Sequence, residues 1–196
     1  MWTIRQTTEP TYEPVTLERA RQHLRLFATG SPEAHPDDDL VSDYITASRV
    51  MAEQFTDRII VQRQIELRAK WLSRFMTLPV TPVVSIDSID YTDTEGNAQT
   101  LSDYVVDLNQ EPATLYIENP PSIQDDSRIV FTVTAGYRSG DSPASADLIP
   151  QTIKQAILML VGHFYENRES VVTGVQSMKV PMAFEALLWP HRIAGV

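Results

Sequence analysis

The sequence predicts an α+β fold: a small helical bundle, two long helices plus short ones, with an inserted antiparallel β-sheet. Three observations carry this. Apolar residues recur at helical spacing from Leu40 to Phe55 and again from Ile153 to Tyr165. Between those stripes, from Ile59 onward, the period falls to two, the repeat of a half-buried strand. Turn residues then cut the middle of the chain into short runs, and strands spaced so closely imply an antiparallel sheet or a small barrel-like insert. The organisation expected is one domain over 1–196: an N-terminal arm and helices (1–58), the β insert (59–137), C-terminal helices (148–189) and a tail (190–196).

In chain order, Pro10 and Pro14 mark residues 1–15 as an extended arm. Thr16 is the expected N-cap of a short helix from Leu17 to about Leu26, with Val15 as a staple residue before it. Gly30, Pro32 and Pro36 make a loop. Asp37, Asp38 and Asp39 open the second helix, where the positive end of the helix dipole favours carboxylates; consecutive residues there fan outward and do not converge on a metal. The stripe of that helix is Leu40, Val41, Tyr44, Ile45, Ser48, Met51, Ala52 and Phe55, with Ser42, Asp43, Arg49, Glu53 and Gln54 opposite.

In the insert, Ile59, Val61, Ile65, Leu67, Ala69 and Trp71 share the apolar face of a first strand, with Arg63 as a polar intrusion. Residues 72–82 read as irregular because Pro79 and Pro82 cannot donate to a ladder. Val83 to Tyr91 is a strand that returns through a Glu95-Gly96-Asn97 turn to Ala98–Leu101. Tyr104 to Leu108, Thr114 to Glu118 and Arg128 to Thr134 complete the set. The polar, acidic loops Asp93 to Asn97 and Asn119 to Ser127 are expected to be exposed. After a loop over 136–150, Pro150 opens the third helix, where its missing N–H costs nothing. Its stripe is Ile153, Ala156, Ile157, Leu160, Val161, Phe164 and Tyr165. Gly174 marks a connection, Pro181 starts a last helix from Met182 to Trp189, and Pro190 stops it.

Composition narrows the function classes. Net charge is −10, with 16 Lys and Arg against 26 Asp and Glu, and the basic residues are scattered. Tight grip on nucleic-acid phosphates needs clustered cations, so that class is disfavoured. An acidic surface keeps a protein soluble, and it would also let a duplex pass without sticking. The chain has no cysteine, hence neither disulfides nor thiolate chemistry, which suits assembly in a reducing cytoplasm. Apolar runs such as 156–162 are too short to span a bilayer, and Met1-Trp2-Thr3-Ile4-Arg5 lacks the features of a signal peptide.

No catalytic constellation stands out. His23, His35, His163 and His191 are far apart, and none sits in an H-E-x-x-H helix. His163 and Glu166, three apart on one helix, could share a metal, but a lone pair is more simply a polar helix edge. There is no G-x-S-x-G elbow and no phosphate-binding Gly loop; Gly136, Gly140 and Gly174 are isolated turn glycines, and Asp125-Asp126 is a solvated turn. The expectation is no enzyme, no cofactor and no metal.

The third helix carries a resemblance. The run from Ile149-Pro150 through His163-Phe164-Tyr165-Glu166-Asn167-Arg168-Glu169 resembles the signature of phage head–tail connector proteins, also called adaptor or head-completion proteins, of long-tailed phages, prophages and gene transfer agents. In that family a proline opens an apolar helix ending in aromatic-Tyr-Glu-Asn-Arg-Glu. A loop follows, then a short helix with a Leu-Leu pair and a proline-basic ending, here Phe184 to Arg192; His191 stands where the family often has Tyr. Pro14 to Arg25, Asp37 to Leu40 leading to Ala52–Thr56, Leu78-Pro79, Val84 to Ile89 and Thr134 to Tyr137 match its other parts in order.

The resemblance implies a structural virion protein of the neck, assembled in the host cytoplasm. Copies, commonly twelve, would form a ring beneath the portal protein ring, continue the DNA channel without specific DNA binding, and give the stopper or tail-completion protein its platform, with no membrane involved. A ring uses heterologous contacts. Tyr165, Asn167, Arg168 and Glu169 are candidates for the inter-subunit contact, against the simpler reading of a helix end bonded to its own loop. Trp189, Pro190, His191, Arg192, Ile193 and Val196 form an apolar, basic tail on an acidic protein and are candidates for portal docking, against a frayed terminus. The alternatives are another completion protein, a stopper or tail terminator, and a small metal-dependent hydrolase using His163 and Glu166. Stoppers tend to be shorter and β-dominated, and metal analysis separates the hydrolase.

Overall fold

A computed structural model describes residues 2–26, 35–124, 128–138, 148–167 and 182–193. The expected features at Gly30, Pro32, Asp125-Asp126, Gly140, Gly174 and Pro181, and the site candidates Arg168, Glu169 and Val196, lie outside these residues. The fold is α+β, and the chain divides into two units: a β unit within 1–11 and 61–138, and a helical unit within 12–60 and 139–195.

In the helical unit, α1 (Leu17–Leu24) starts where expected. The Thr16 side chain accepts from the Arg19 N–H at 3.2 Å, and the buried Val15 precedes it. The helix stops two residues short of the prediction because Arg25 turns left-handed at φ 57°, and the N–H of Leu26 returns to the Arg21 carbonyl. The two long helices are α2 (Asp38–Thr56) and α3 (Gln151–Glu166); α4 (Met182–Leu188) follows, and then a 3-10 turn, Trp189–His191, that contains Pro190. Val41, Ile45 and Ala52 of α2 are buried, as are Ile153, Ala156, Ile157, Leu160 and Val161 of α3 and Phe184 and Leu188 of α4. Tyr44 and Phe164 extend the α2–α3 seam with ring centroids 5.7 Å apart.

Arg49 corrects the sequence reading. Expected on the polar face of α2, it is 5% exposed. Its guanidinium forks onto Glu13, with Nε donating to Oε2 at 2.8 Å and a terminal nitrogen to Oε1 at 3.2 Å, and reaches Glu53 at 3.3 Å. A buried guanidinium is tolerable only with such partners. Arg49→Met should therefore cost about 2 kcal/mol. That is below the roughly 3–5 kcal/mol of a fully buried pair, because the Glu13 side chain keeps 28% of its exposure. Denaturant unfolding of the two proteins side by side measures the difference.

Among the described residues the β unit holds two antiparallel sheets where one was expected. The larger has the order β1-β2-β8-β4-β5, from β1 (Thr3–Gln6), β2 (Arg63–Ala69), β8 (Ile129–Ala135), β4 (Val83–Thr92) and β5 (Ala98–Thr100). The smaller has the order β3-β7-β6, from β3 (Phe75–Thr77), β7 (Thr114–Tyr116) and β6 (Val105–Asp107). Two strands lie in segments the sequence did not assign to a sheet, the extended arm and the irregular stretch 72–82. The arm contributes β1, antiparallel to β2, and the stretch before Pro79 contributes β3.

In β2, residues 63, 65, 67 and 69 are buried in strict alternation, with Arg63 as the polar residue on the inner face, as expected. Trp71, assigned to that face, lies past the strand end and is exposed. β8 shows the same alternation and forms the centre of the large sheet, with Leu67 and Ile89 as register partners of Phe131.

Candidate functional site

The C-terminal segment of the helical unit is held by the end of α2 and the start of α3. Phe55, on the last turn of α2, meets Phe184 edge-on at 6.0 Å and Trp189 at 6.3 Å. The Arg192 guanidinium lies 5.8 Å from the centre of the Phe55 ring and 5.5 Å from that of Trp189, a cation packed against both aromatic rings. The Ile193 N–H donates to the Thr56 carbonyl at 3.0 Å, and Arg58 Nε donates to the His191 carbonyl at 2.5 Å. His191 Nε2 and the Thr152 hydroxyl are 2.6 Å apart. Residues 189–193 are thus tied down rather than frayed. Trp189 nevertheless keeps 63% of its surface exposed, and Pro190 and Arg192 are exposed beside it. An exposed, rigidly held Trp–Arg pair has the composition of an interface anchor.

Burial, and then the nearby Arg58 charge, hold the His191 imidazole below its ordinary pKa of 6.5. Acidification protonates the unfolded chain first. This contribution to stability is therefore complete above pH 6.5 and declines as pH falls through the folded value.

The other predicted cluster lies at the opposite end of α3. Tyr165 donates its hydroxyl proton to Asp37 Oδ2 at 2.6 Å. Asn167 ends the helix, with its backbone N–H and side-chain amide both donating to the His163 carbonyl, at 3.1 and 2.8 Å. Tyr165 and Asn167 therefore each have partners within their own chain. The Asp triplet does start α2, but Asp37 makes no side-chain cap bond. Its carboxylate takes the Tyr165 bond, while Asp38 forms a bidentate pair with Arg21 and accepts the His35 N–H at 2.8 Å. Sequence reasoning missed this knot; only the Asp triplet signalled it.

The hydrogen bond from Arg21 holds the Asp38 carboxyl below its ordinary value of 3.8 against the opposing effect of burial, and the His35 N–H assists. A depressed carboxylate stabilises the fold above its unfolded pKa and loses that contribution as pH falls through its folded one. Asp38→Asn should lower the denaturant midpoint at pH 7 and narrow its gap to the native protein below about pH 4. Unfolding midpoints measured from pH 7 to pH 2 test this.

His163 and Glu166 gain no third ligand: among the described residues no three His, Cys, Asp or Glu side chains are grouped to hold a metal ion. Among those residues no helix is long and apolar enough to cross a membrane.

No protein-family model matches the chain, and no curated protein does. Solved structures do. The chain is similar to a chain of the neck of an empty gene transfer agent (GTA) particle computed with C6 symmetry, at 22% identity and TM-score 0.79, covering 99% of this chain and 97% of that one. It is similar to a chain of the virion of a native GTA particle, at 21% identity and TM-score 0.77, covering 98% and 96%. A third likeness, to the neck of a native GTA particle computed with C12 symmetry, has 20% identity and TM-score 0.70, covering 99% and 97%. At these identities the likeness is one of fold, from end to end.

Proposed function

We propose that this chain is a structural subunit of the neck of a phage-like particle: the head–tail connector, or adaptor, whose copies form a ring beneath the portal, and not an enzyme. The observation that carries the reading is the end-to-end match to chains of GTA particles, 99% of this chain against 97% of a neck chain. It agrees with the connector-like order of motifs from Pro14 to Arg192. In this reading the β and helical units work together as one connector subunit. Six- and twelve-fold symmetry in those necks supports a ring, and we take twelve copies as its size. The net charge of −10 suits a wall that DNA slides past. The next partner below is the stopper or tail-completion protein.

Portal docking is assigned to the C-terminal segment, with Trp189 and Arg192 as anchors, Pro190, His191 and Ile193 beside them, and Val196, outside the described residues, as the last candidate. Arg168 and Glu169, next to Tyr165 and Asn167, are assigned to the neighbouring copy.

Electron microscopy of the purified protein mixed with the portal of the same particle tests the proposal. A ring of added density at the narrow end of the portal is expected. Portal particles unchanged at saturating protein would defeat it. Trp189→Ala should remove the ring density while costing about 1 kcal/mol of fold stability, the size of one aromatic pair. Removing 190–196 would be a poorer test, because it also strips contacts from Thr56 and Arg58.

A further inference from the structure

The small sheet carries an apolar row that its own unit does not cover. Phe75, Tyr116 and Val105 are register partners across β3, β7 and β6. Phe75 is 67% exposed and Val105 66%. The alternate residues Met76 and Leu115 are buried, so the sheet has one face packed and one face open. The Phe75 and Tyr116 rings lie 5.0 Å apart. Arg74 fixes Tyr116 from the side, donating to its hydroxyl at 3.1 and 2.7 Å with its guanidinium 5.4 Å from the ring centre. Aromatic and Arg side chains held in place in this way are the residue types of interface centres.

The two outer strands differ in charge. β3 is preceded by the cation Arg74, and β6 ends in the anion Asp107. Each has one edge without a strand partner among the described residues. Exposed edges beside exposed apolar side chains are ready to pair with another chain. A cyclic ring needs two different patches per subunit that fit each other. Here the cationic, aromatic β3 side and the anionic, apolar β6 side supply such a pair.

We infer that the small sheet is a copy-to-copy contact, in which the Arg74–Phe75 side of one subunit meets the Val105–Asp107 side of the next. This rests on the ring reading above and adds a second copy-to-copy surface to the one assigned there to Arg168 and Glu169.

The test uses the full chain and two charge variants, Arg74→Asp and Asp107→Arg, with mass followed by light scattering over a concentration series. The native protein should self-associate as concentration rises. Each variant alone faces like charges across the contact and should need at least tenfold more protein to reach the same mass. An equimolar mixture of the two variants should associate as the native protein does. The carboxylate placed at position 74 of one variant then meets the guanidinium placed at position 107 of the other, and the native Arg74 of the second meets the native Asp107 of the first. Recovery on mixing cannot come from a fold defect or from contacts within one chain. A native protein that stays monomeric throughout, variants that associate normally, or a mixture no better than its components would each overturn the inference. Ring density on the portal from a chain that shows no such association would sink the inference and leave the connector reading standing. Self-association without ring density would do the reverse.

Discussion

Gly136→Ala is expected to unfold the β unit at a much lower denaturant concentration than the native sequence, at a cost of about 4 kcal/mol. Two effects combine. Gly136 sits at φ +113°, a region that side chains with a Cβ rarely adopt, and forcing one there costs about 1–3 kcal/mol. In addition, a Cβ would lie 2.6 Å from the Gln62 nitrogen and from the Val61 carbonyl carbon, which are backbone atoms that cannot swing aside. The Gly136 N–H donates to the Pro82 carbonyl at 2.8 Å, and Gln62 donates to the Tyr137 carbonyl at 3.2 Å. Relieving the clash would break these bonds at the joint of β2, β8 and β4. Gly96 is the control. It too has positive φ, +89°, but nothing lies within 4 Å of its Cβ position. Gly96→Ala should therefore cost only about 1 kcal/mol of backbone strain. Equal losses at the two glycines would show that the close approach at Gly136 contributes nothing.

Gly136 was visible in the sequence only as a turn glycine, because the approach of residues 61–62 is a tertiary fact. The same limit explains most of what the sequence reading missed. Both long helices were legible because their stripes face one core, and β2 and β8 were legible because one face of each is buried. β1 has all four residues exposed, so no alternation marks it. β3 is three residues long, too short to show a period.

Arg49 was misread because a charged residue predicts solvent, unless a partner distant in sequence such as Glu13 makes burial tolerable. The Asp triplet told where α2 begins but not that Tyr165, 128 residues away, would bond to it. Of the site candidates, the aromatic–basic composition of 189–193 was legible, but not that Phe55, Thr56 and Arg58 would hold it. The open face of the small sheet left no trace, since its row joins three strands that only the fold brings together.

Phe131→Ala should cost about 4 kcal/mol, in the range of about 3–5 kcal/mol for emptying a phenylalanine site in a packed core. Among the described residues Phe131 is the largest fully buried side chain, and it lies on the central strand of the large sheet. Leu67 and Ile89 flank it on the neighbouring strands, and both are fully buried. The Trp2 ring stands edge-on to it at 5.1 Å. Removing the ring leaves a hole that Leu67 and Ile89 cannot fill, because sheet pairing fixes their backbones, so little of the cavity cost is recovered.

The loss should be local. Trp2 and Trp71 belong to the β unit and Trp189 to the helical unit. In the native protein Trp2 should fluoresce as a partly shielded indole, and in the variant it should shift to the red before any denaturant is added. Phe131→Leu keeps most of the volume and should recover more than half of the lost stability. If the alanine variant cost less than about 1 kcal/mol and left Trp2 emission unchanged, Phe131 would not be the centre of the large sheet's core, and the arm would not owe its place as β1 to the Trp2–Phe131 contact.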